Sequence, residues 1–523
     1  MTKPDHDVVV IGGGLGGLAA AAVLAKGGRN VCVVESHDEV GGAASTYRIG
    51  DLTIEAALHE TANPFNPVDP KHFFLKRLGL LDAIEWVPVG GFYSVRGGPV
   101  GKEPFAVGHG FSDVWRAFAE RFGDPGTDRV LERMEDICSV LAGLMKAGNE
   151  HSVAQLMRSL FKAGPLVSDW RLSLTDVFDQ ELEGNEAAKC ALAANLPYYS
   201  DDPAKLWWIF FAVAQGTYIG TGSYYLKGGS SALTGTLRQF IEENGGTVLT
   251  GCEVHRAQPP DGEAAAEVEY RRTGNDRITR LKTTAIVANC APRVLSGMLP
   301  EPLRARFYSP YRKLEPSTSL FSVYFGVNAD TGGVLPREYS NMVLPQWMRS
   351  LSDYAMAGDL LGAMPTGRLP PFALVNYRAA DSGLGDGQLG LITVTGIDRV
   401  ENWVGLTQHE EAARREAWSD AIQEEIERYW PGFSSLVEQR HFVSAASMQR
   451  YLRTPGGAVY GFATPPPKKP IWFGREKSPK TALPGVFLAS SYAGAGGYSG
   501  SLGTGAMAGD LVEAWLKKSR GRS

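Results

Sequence analysis

A chain of 523 residues is too long for one hydrophobic core, so two or three domains are expected. Its apolar share of 44% and charged share of 21% are ordinary for a globular protein. The net charge of -5 argues against a nucleic-acid-binding protein, which would carry a basic face. The cysteines number five, with no CxxC pair, which argues against a disulfide framework and against a zinc site.

The start of the chain is polar and charged, and an apolar strand follows it directly. It lacks the basic region and the apolar region of a secretory signal. No run of about 18 uncharged apolar residues occurs anywhere, so no membrane-spanning helix is expected. Together with the unpaired cysteines, these features predict a cytoplasmic protein.

The first predicted elements are a strand over residues 8–11, a helix over 18–26 and a second strand over 31–34. Both strands are apolar and rich in β-branched residues, as buried parallel strands are. The helix is rich in alanine, and glycines in GxGxxG spacing precede it. This order of strand, glycines, helix and strand predicts a dinucleotide-binding unit rather than a chance glycine-rich turn.

Each part of this unit has a physical role toward a dinucleotide. Gly12 makes the tight turn, Gly14 lets the backbone approach a pyrophosphate, and Gly17 lets the helix pack against the strand. The helix N-terminus offers free N–H groups to the phosphates. Glu35, at the tip of the second strand, is expected to accept hydrogen bonds from the adenosine ribose. Its charge disfavours a 2′-phosphate and therefore NADP.

Two further glycine-rich segments favour FAD over NAD. The first is GGAAST, residues 41–46, just past Glu35. The second lies between residues 485 and 505, where an apolar strand is followed by a glycine-rich turn and a helix of small residues. A second helix N-terminus so far along the chain suits a cofactor that is long enough to need a contact at its flavin end. The sequence therefore predicts bound FAD.

Three stretches, residues 8–62, 226–254 and 450–511, resemble the phytoene desaturase-like flavoproteins, which include carotenoid desaturases, carotenoid isomerase and retinol saturase. The matching pieces are IGGGLGGLAAA, ESHDEVGGAAS, LTIEAALHET, YYLKGGSSALTGTL, RYLRTPGGAVYGFA and GVFLASSYAGAGGYSGSLGTGAMAGDLV. The resemblance implies an FAD-dependent oxidoreductase. It would desaturate, saturate or isomerise carbon–carbon bonds of a polyene, isoprenoid or lipid-like substrate by hydride transfer at flavin N5.

The resemblance also implies an α/β fold. A Rossmann-like FAD-binding domain of the glutathione-reductase/amine-oxidase type would be interleaved with a mixed α+β substrate domain. The FAD-binding domain would comprise residues 1–75, 227–300 and 441–523, and the substrate domain residues 76–226 and 301–440.

The predicted cofactor-binding residues come from the fingerprint and from the resemblance. They are Gly12, Gly14, Leu15, Gly16, Gly17, Glu35, Ser36, Gly41, Gly42, Ala43, Ala44, His59, Val254, Asn289, Ser490, Ser491, Gly500, Ser501 and Leu502. One departure from the family is the turn at 489–491, which lacks the acidic or glycine residue that is common there. A serine hydroxyl or a backbone N–H would have to contact the ribityl chain instead.

Three residues are candidates for catalysis. His59 lies where the family brings its chain past the isoalloxazine ring, and its unperturbed pKa near neutrality would suit a general acid or base. Glu60 would pair with it, and Tyr498 would form an aromatic wall beside the flavin. A structural role for His59 is the alternative interpretation. No histidine or cysteine spacing indicates a metal site.

Aromatic residues are dense between 198 and 225. They are Tyr198, Tyr199, Trp207, Trp208, Phe210, Phe211, Tyr218, Tyr224 and Tyr225. Such a wall suits a large flat apolar substrate. A peripheral membrane contact and an ordinary helix core are the alternatives.

Two other functions stay open at this point. One is an amine-oxidising flavoenzyme of the related oxidase fold, and the other is a flavin-binding protein without turnover. The chain has a single dinucleotide fingerprint, so no second nucleotide domain is indicated for NADPH. Oxygen or a quinone is therefore the expected electron acceptor.

Overall fold

The computed structural model describes residues 4–150, 157–159, 162–262, 264–329, 332–384, 389–470 and 477–520. The strands are β1 His6–Ile11, β2 Val31–Val34, β3 Thr46–Ile49, β4 Leu52–Glu55, β5 Thr61–Ala62, β6 Trp86–Pro88, β7 Tyr93–Gly97, β8 Gly101–Val107, β9 Ser223–Leu226, β10 Thr247–Leu249, β11 Cys252–Gln258, β12 Ala266–Arg272, β13 Ile278–Ala288, β14 Ser319–Val327, β15 Ser340–Leu344, β16 Phe372–Asn376, β17 Gly390–Asp398, β18 Val437–Val443 and β19 Val486–Leu488.

Helices lie between and beside these strands. They are α1 Leu15–Lys26, α2 Pro70–Leu78, α3 Phe111–Phe122, α4 Pro125–Glu150, α5 Gly164–Ser168, α6 Leu174–Leu182, α7 Glu186–Leu192, α8 Trp208–Thr221, α9 Ser230–Glu243, α10 Pro292–Met298, α11 Glu301–Tyr308, α12 Tyr354–Ala357, α13 Gln408–Tyr429, α14 Phe433–Leu436, α15 Ala445–Leu452 and α16 Gly497–Arg520. Within the described ranges, every helix is too short or too polar to cross a lipid bilayer.

The first sheet is built around the N-terminal strand. Its parallel strands lie in the order β10-β2-β1-β13-β19, and β11 and β12 extend it antiparallel from the first half of β13. Side chains alternate along β1, so Val8 and Val10 pack on the side of α1 and α16, and Val9 and Ile11 pack on the side of α10 and α11. The carboxyl ends of these parallel strands meet at one edge, where a cofactor binds in such sheets.

The second sheet is mixed, in the order β18-β14-β17-β16-β15-β7-β8. Phe321, Val323 and Phe325 of β14 pack against α13, and Tyr324 faces the first sheet's core instead. Residues 437–443 form β18 of this sheet, so the predicted domain boundary at 440 falls inside a strand. The domain boundaries otherwise stay a prediction.

Local elements of the sequence prediction are confirmed. The predicted first helix is α1, which begins three residues earlier than expected, at Leu15. The sequence also predicts a helix over residues 230–243 and another over 410–430, and the structure has α9 and α13 there. The aromatic segment forms α8 and β9.

Candidate active site

The turn between β1 and α1 is open at the edge where the parallel strands end. Gly12 has a φ of +97°, in the left-handed region that favours glycine. Gly14 is the N-cap residue of α1, and no side chain in the described ranges caps this helix. The free N–H groups and the helix dipole at this end therefore suit a pyrophosphate.

Close backbone contacts require two further glycines. A Cβ atom at Gly17 would lie 2.1 Å from the carbonyl oxygen of Gly12, so α1 can begin this close to β1 only with glycine there. A Cβ atom at Gly16 would lie 2.1 Å from the carbonyl oxygen of Ala489, directly after β19. The two glycine-rich ends of the chain therefore meet at the start of α1.

Glu35 follows β2 and is buried. Its carboxylate accepts the N–H of Gly13 at 2.6 Å and the N–H of His37 at 2.8 Å. Burial opposes ionisation, but hydrogen bonds from His37 and Gly13 outweigh it and lower the pKa of the Glu35 carboxyl. The His37 ring also stacks on Tyr451, with ring centroids 4.3 Å apart. An ionised acceptor therefore stands beside the glycine turn, as predicted for a ribose-binding acid.

The other predicted cofactor residues surround the same region of the sheet. They are Leu15 at the start of α1, Ser36 after β2, Gly41, Gly42, Ala43 and Ala44 in the next turn, Val254 on β11, Asn289 after β13, Ser490 and Ser491 after β19, and Gly500, Ser501 and Leu502 in α16. The Gly41 N–H donates to the Gly13 carbonyl oxygen at 2.8 Å. The Ser490 hydroxyl donates to the Cys290 carbonyl oxygen at 3.1 Å, so it already has a partner in the chain.

The segment between β4 and β5, residues 55–60, is held by tyrosine hydroxyls from distant parts of the chain. Tyr324 donates to the Ala56 carbonyl oxygen at 3.2 Å, Tyr377 to Leu58 at 2.8 Å, Tyr339 to His59 at 2.5 Å, and Tyr218 to Glu60 at 3.3 Å. These bonds fix the backbone on which the predicted catalytic residues stand. We call residues 55–60 the clamped segment.

Glu55 begins the clamped segment and is fully buried. Its carboxylate accepts the Ser230 N–H at 2.7 Å, at the first turn of α9, and the Ser230 hydroxyl at 2.5 Å. Burial raises the pKa of Glu55, against the hydrogen bonds from Ser230. The Tyr498 hydroxyl contacts the Ser230 hydroxyl. The structure therefore places Tyr498 in the Glu55 cluster, and the sequence pattern gives no signal for Glu55.

His59 is buried and bonded to an aromatic residue of the predicted window. Its Nδ1 atom lies 2.5 Å from the Tyr198 hydroxyl. Burial lowers the pKa of His59 to about 4, so the imidazole is neutral near neutral pH. Two expectations are thereby corrected: the pKa is not near neutrality, and the partner of His59 is Tyr198 rather than Glu60.

Glu60 has the opposite electrostatic behaviour. Burial raises the pKa of its carboxyl to about 8, although the nearby hydroxyls of Ser223 and Ser340 oppose that shift. Its Oε2 atom has no hydrogen-bond partner among the described residues. His59 and Glu60 therefore bring a neutral imidazole and a neutral carboxylic acid to adjacent positions of the clamped segment at neutral pH.

The predicted aromatic window divides between two roles. Trp208 and Phe211 of α8 are buried in an ordinary core with Phe178 of α6. Tyr198 and Tyr218 instead reach His59 and Glu60 of the clamped segment. The aromatic window therefore supplies both core side chains and side chains at the candidate site.

Comparison with known proteins identifies the family. Residues 15–512 match the family described as flavin-containing amine oxidoreductases. The chain belongs to this family. The assignment confirms the prediction of a flavin-dependent oxidoreductase, and FAD is its cofactor.

Relatives of this chain include a retinol reductase and a phytoene dehydrogenase. All-trans-retinol 13,14-reductase of Rattus norvegicus is 24% identical over 494 residues, covering 87% of this chain and 77% of the rat protein. Phytoene dehydrogenase of Streptomyces griseus is 24% identical over 466 residues, covering 84% of this chain and 82% of that protein. Both names confirm the predicted relation to phytoene desaturase-like flavoproteins.

A solved structure confirms the fold class. Cyclohexylamine oxidase from Brevibacterium oxydans has a TM-score of 0.59 to this chain at 15% identity, and the match covers 99% of this chain and 100% of that one. The predicted α/β fold of the amine-oxidase type is therefore correct.

The described residues fit the cofactor of the family. The N-terminus of α1 has no side-chain cap and can present N–H groups to phosphate, and a Cβ atom at Gly14 would lie 2.8 Å from Asn289 Nδ2, so a side chain there would crowd Asn289. The Glu35 carboxylate lies beside the glycine turn. Which of the predicted residues contact FAD stays a prediction. Among the described residues, no cluster of His, Cys, Asp or Glu could hold a metal ion.

Replacement of Glu35 tests the adenosine end of this site. We expect Glu35→Ala to weaken FAD binding by about 1–3 kcal/mol, because charge-assisted hydrogen bonds are lost. Glu39→Ala is the matched control, since Glu39 lies on the same loop with its side chain 86% exposed. FAD affinity is measured by titrating the apoprotein. Equal affinities of the two variants would remove Glu35 from the FAD site.

Stability against pH tests the burial of Glu60. In the unfolded chain a glutamate titrates near about 4.3, whereas burial raises the pKa of Glu60 to about 8 in the folded protein. The folded state keeps a proton that the unfolded state has lost, so this group makes stability fall as pH rises through that interval. Glu60→Gln should flatten the fall, and above the folded pKa it should be more stable than wild type by about 1–3 kcal/mol.

Urea unfolding of the FAD-loaded protein at mildly acidic and mildly alkaline pH measures this effect. Glu401→Gln, at an exposed position, serves as the control. If Glu60→Gln and Glu401→Gln changed the pH dependence of unfolding equally, the buried neutral acid would be ruled out.

Proposed function

We propose that this FAD-dependent oxidoreductase desaturates, saturates or isomerises carbon–carbon bonds of an apolar polyene, isoprenoid or lipid-like substrate. The FAD, when bound, supplies a hydride acceptor or donor at N5. The proposal draws on relatives named for retinol reduction and phytoene dehydrogenation.

The observation that carries the proposal is the neutral, aromatic surroundings of the clamped segment. Burial keeps the Glu60 carboxyl protonated and the His59 imidazole unprotonated at neutral pH. Tyr198 and Tyr218 add aromatic surface beside them. A cationic ammonium would lack an ionised carboxylate here, whereas a flat polyene would lie against aromatic rings.

In the proposed reaction, His59 handles the proton that accompanies the hydride. The neutral imidazole accepts a proton when a carbon–carbon bond is desaturated, and the imidazolium returns it when the bond is saturated. The hydrogen bond between Tyr198 and His59 orients the imidazole. Tyrosine hydroxyls bind the backbone carbonyls of His59 and Glu60, and this fixes the position of the His59 side chain.

Three finer parts of the proposal concern the substrate domain, the electron acceptor and a membrane contact. Residues 76–226 and the chain from 301 to the end of β18 would form the substrate domain, and oxygen or a quinone would reoxidise the flavin. A peripheral membrane contact would deliver the substrate. It is supported by exposed apolar side chains such as Phe65, at 49%, and Trp115, at 46%.

Anaerobic mixing of the FAD-loaded protein with candidate substrates tests the proposal. The panel contains polyenes, isoprenoids, fatty acids and primary amines, and the oxidised and the chemically reduced protein are both tried. We expect a polyene or isoprenoid to bleach the oxidised flavin, to reoxidise the reduced flavin, or to be isomerised. Bleaching by amines alone would make the protein an amine oxidase. If no compound changed the flavin and none was itself changed, the protein would be a flavin-binding protein without turnover.

A further inference from the structure

Three buried polar groups near His59 lack hydrogen-bond partners among the described residues. They are the Glu60 Oε2 atom and the hydroxyls of Ser223 and Ser340. Both serines are only 2% exposed. A buried polar group without a partner costs about 1–3 kcal/mol, so a ligand atom that bonded to these groups would recover part of that cost. We call Glu60, Ser223 and Ser340 the polar nest.

The three groups converge although they come from separate parts of the chain. Ser223 of β9 pairs with Ala62 of β5, and Glu60 lies directly before β5. The hydroxyls of Ser223 and Ser340 both lie close enough to the Glu60 carboxyl to oppose its raised pKa. Neither hydroxyl, however, makes a hydrogen bond of good geometry with a described residue.

The second sheet turns one face toward this nest. Ser340 pairs with Val375, Val375 pairs with Thr393, and Thr393 pairs with Tyr324, so these four side chains share one face. Tyr324 donates to the carbonyl oxygen of Ala56 in the clamped segment. The face that bears Ser340 therefore lies against the clamped segment, and the nest lies between the second sheet and a small three-stranded sheet in the order β5-β9-β6.

The tyrosines around Glu60 do not complete the nest, because their hydroxyls donate elsewhere. Tyr93 donates to Ala191 and Leu192, Tyr199 to Gln215, Tyr218 to the Glu60 backbone and Tyr339 to the His59 backbone. These hydroxyls therefore leave the nest unsatisfied. What enters must bring its own polar atom and must otherwise be apolar.

The chemistry of the nest selects a neutral oxygen. One carboxylic acid and two hydroxyls offer donors and acceptors, and no lysine or arginine in the described ranges contributes to the pKa of Glu60. An anionic end group would have no cation to pair with, and an ammonium would meet a carboxyl that burial keeps protonated. We infer that Glu60, Ser223 and Ser340 bind a hydroxyl or carbonyl oxygen at one end of the substrate. The inference rests on the proposed function and narrows its substrates to oxygen-bearing polyenes or isoprenoids.

Matched ligands test the nest directly. The FAD-loaded protein is titrated anaerobically with all-trans-retinol, with the hydrocarbon in which its hydroxyl is replaced by hydrogen, and with the corresponding primary amine. A second set built on geranylgeraniol is treated in the same way, and flavin absorbance reports binding. We expect each alcohol to bind about tenfold more tightly than its hydrocarbon, the value of one or two buried hydrogen bonds.

Two variants separate the nest from general packing. Ser223→Ala/Ser340→Ala should remove the preference for the alcohol and leave FAD content unchanged. Ser319→Ala is the matched control, because Ser319 is also a buried serine of the second sheet without a hydrogen-bond partner among the described residues, but it lies beside Gly457. The Ser319→Ala variant should still bind the alcohol more tightly than the hydrocarbon.

Each remaining outcome overturns the inference. Equal binding of alcohol and hydrocarbon in the wild type, or a preference that survives in the double variant, would mean that the nest holds only water. Tighter binding of the amine would mean that it holds a cation. In either case, if the hydrocarbons reduced or reoxidised the flavin, the proposed function would be supported although the inference about the nest would be wrong. If no polyene bound at all, the proposed function and the inference would both be wrong.

Discussion

Gly16→Ala is expected to abolish FAD binding. The added Cβ atom would lie 2.1 Å from the carbonyl oxygen of Ala489, and both atoms belong to backbone that cannot move aside without separating α1 from β19. That separation would displace the helix N-terminus on which the pyrophosphate depends. Overpacking of this kind costs at least about 2 kcal/mol, and a misplaced N-terminus adds to it. The measurement is the ratio of bound FAD to protein after purification.

Gly235→Ala is the matched control for this prediction. Gly235 also lies in a helix, α9, but nothing stands within 4 Å of a Cβ atom built there. Alanine favours a helix over glycine by about 1 kcal/mol, so this variant should keep its FAD and unfold no earlier than wild type. A full complement of FAD in Gly16→Ala would show that the junction of α1 with β19 is not essential for the cofactor.

His59→Gln is expected to retain FAD while the rate of flavin reduction or reoxidation by the substrate falls by about 10²–10⁴-fold, the usual span for general acid–base catalysis. Glutamine keeps hydrogen-bonding capacity toward Tyr198 but cannot exchange a proton in the same way. Tyr198→Phe, which only removes the hydroxyl that orients the imidazole, should cause a smaller loss. Stopped-flow absorbance of the flavin measures both rates.

The pH profile separates catalysis by His59 from a structural role. Because burial lowers the pKa of His59 to about 4, its titration should limit the wild-type rate only in acid. A limb of the profile near pH 8 should instead follow Glu60, whose pKa burial raises to about 8. His59→Gln should lose the acidic limb and keep the other. Full activity in His59→Gln, or loss of its FAD, would return the residue to a structural role.

The elements near the N-terminus could be predicted because their signals are local. Two apolar β-branched runs, three spaced glycines and an alanine-rich helix lie within thirty-odd residues, and the acid that follows them is where the fingerprint requires it. The resemblance implies the interleaved architecture, which stays a prediction. It also placed His59 on the segment that the structure shows to be enclosed.

The clamped segment could not be predicted, because its partners are scattered. Tyr324, Tyr339 and Tyr377 lie far along the chain from Ala56, Leu58 and His59, and only the folded second sheet brings their hydroxyls to these carbonyls. The burial of Glu55 and its hydrogen bonds could not be predicted for the same reason, since its partner Ser230 is 175 residues away. A pattern in the sequence can report periodicity and spacing, but not long-range contact.

The electrostatics of the site were mispredicted for a related reason. A histidine pKa near neutrality is the value in water, whereas the folded chain buries His59 and offers it a phenol instead of a carboxylate. His59 and Glu60 are adjacent in the chain but have different neighbours, Tyr198 for His59 and the serines 223 and 340 for Glu60. The Tyr498 hydroxyl likewise contacts the Ser230 hydroxyl, and no local feature of the sequence predicts that contact.

Mass analysis of the product after a single anaerobic turnover tests the central claim most directly. FAD-loaded protein, oxidised or chemically reduced, is mixed with one equivalent of a polyene or isoprenoid that changes the flavin spectrum, and the extracted ligand is weighed by mass spectrometry. The account predicts an unchanged carbon skeleton that has lost or gained a pair of hydrogen atoms as the flavin is reduced or oxidised, or a geometric isomer of the same mass. A polyene recovered unaltered, beside a primary amine converted to its aldehyde as the flavin bleaches, would contradict it.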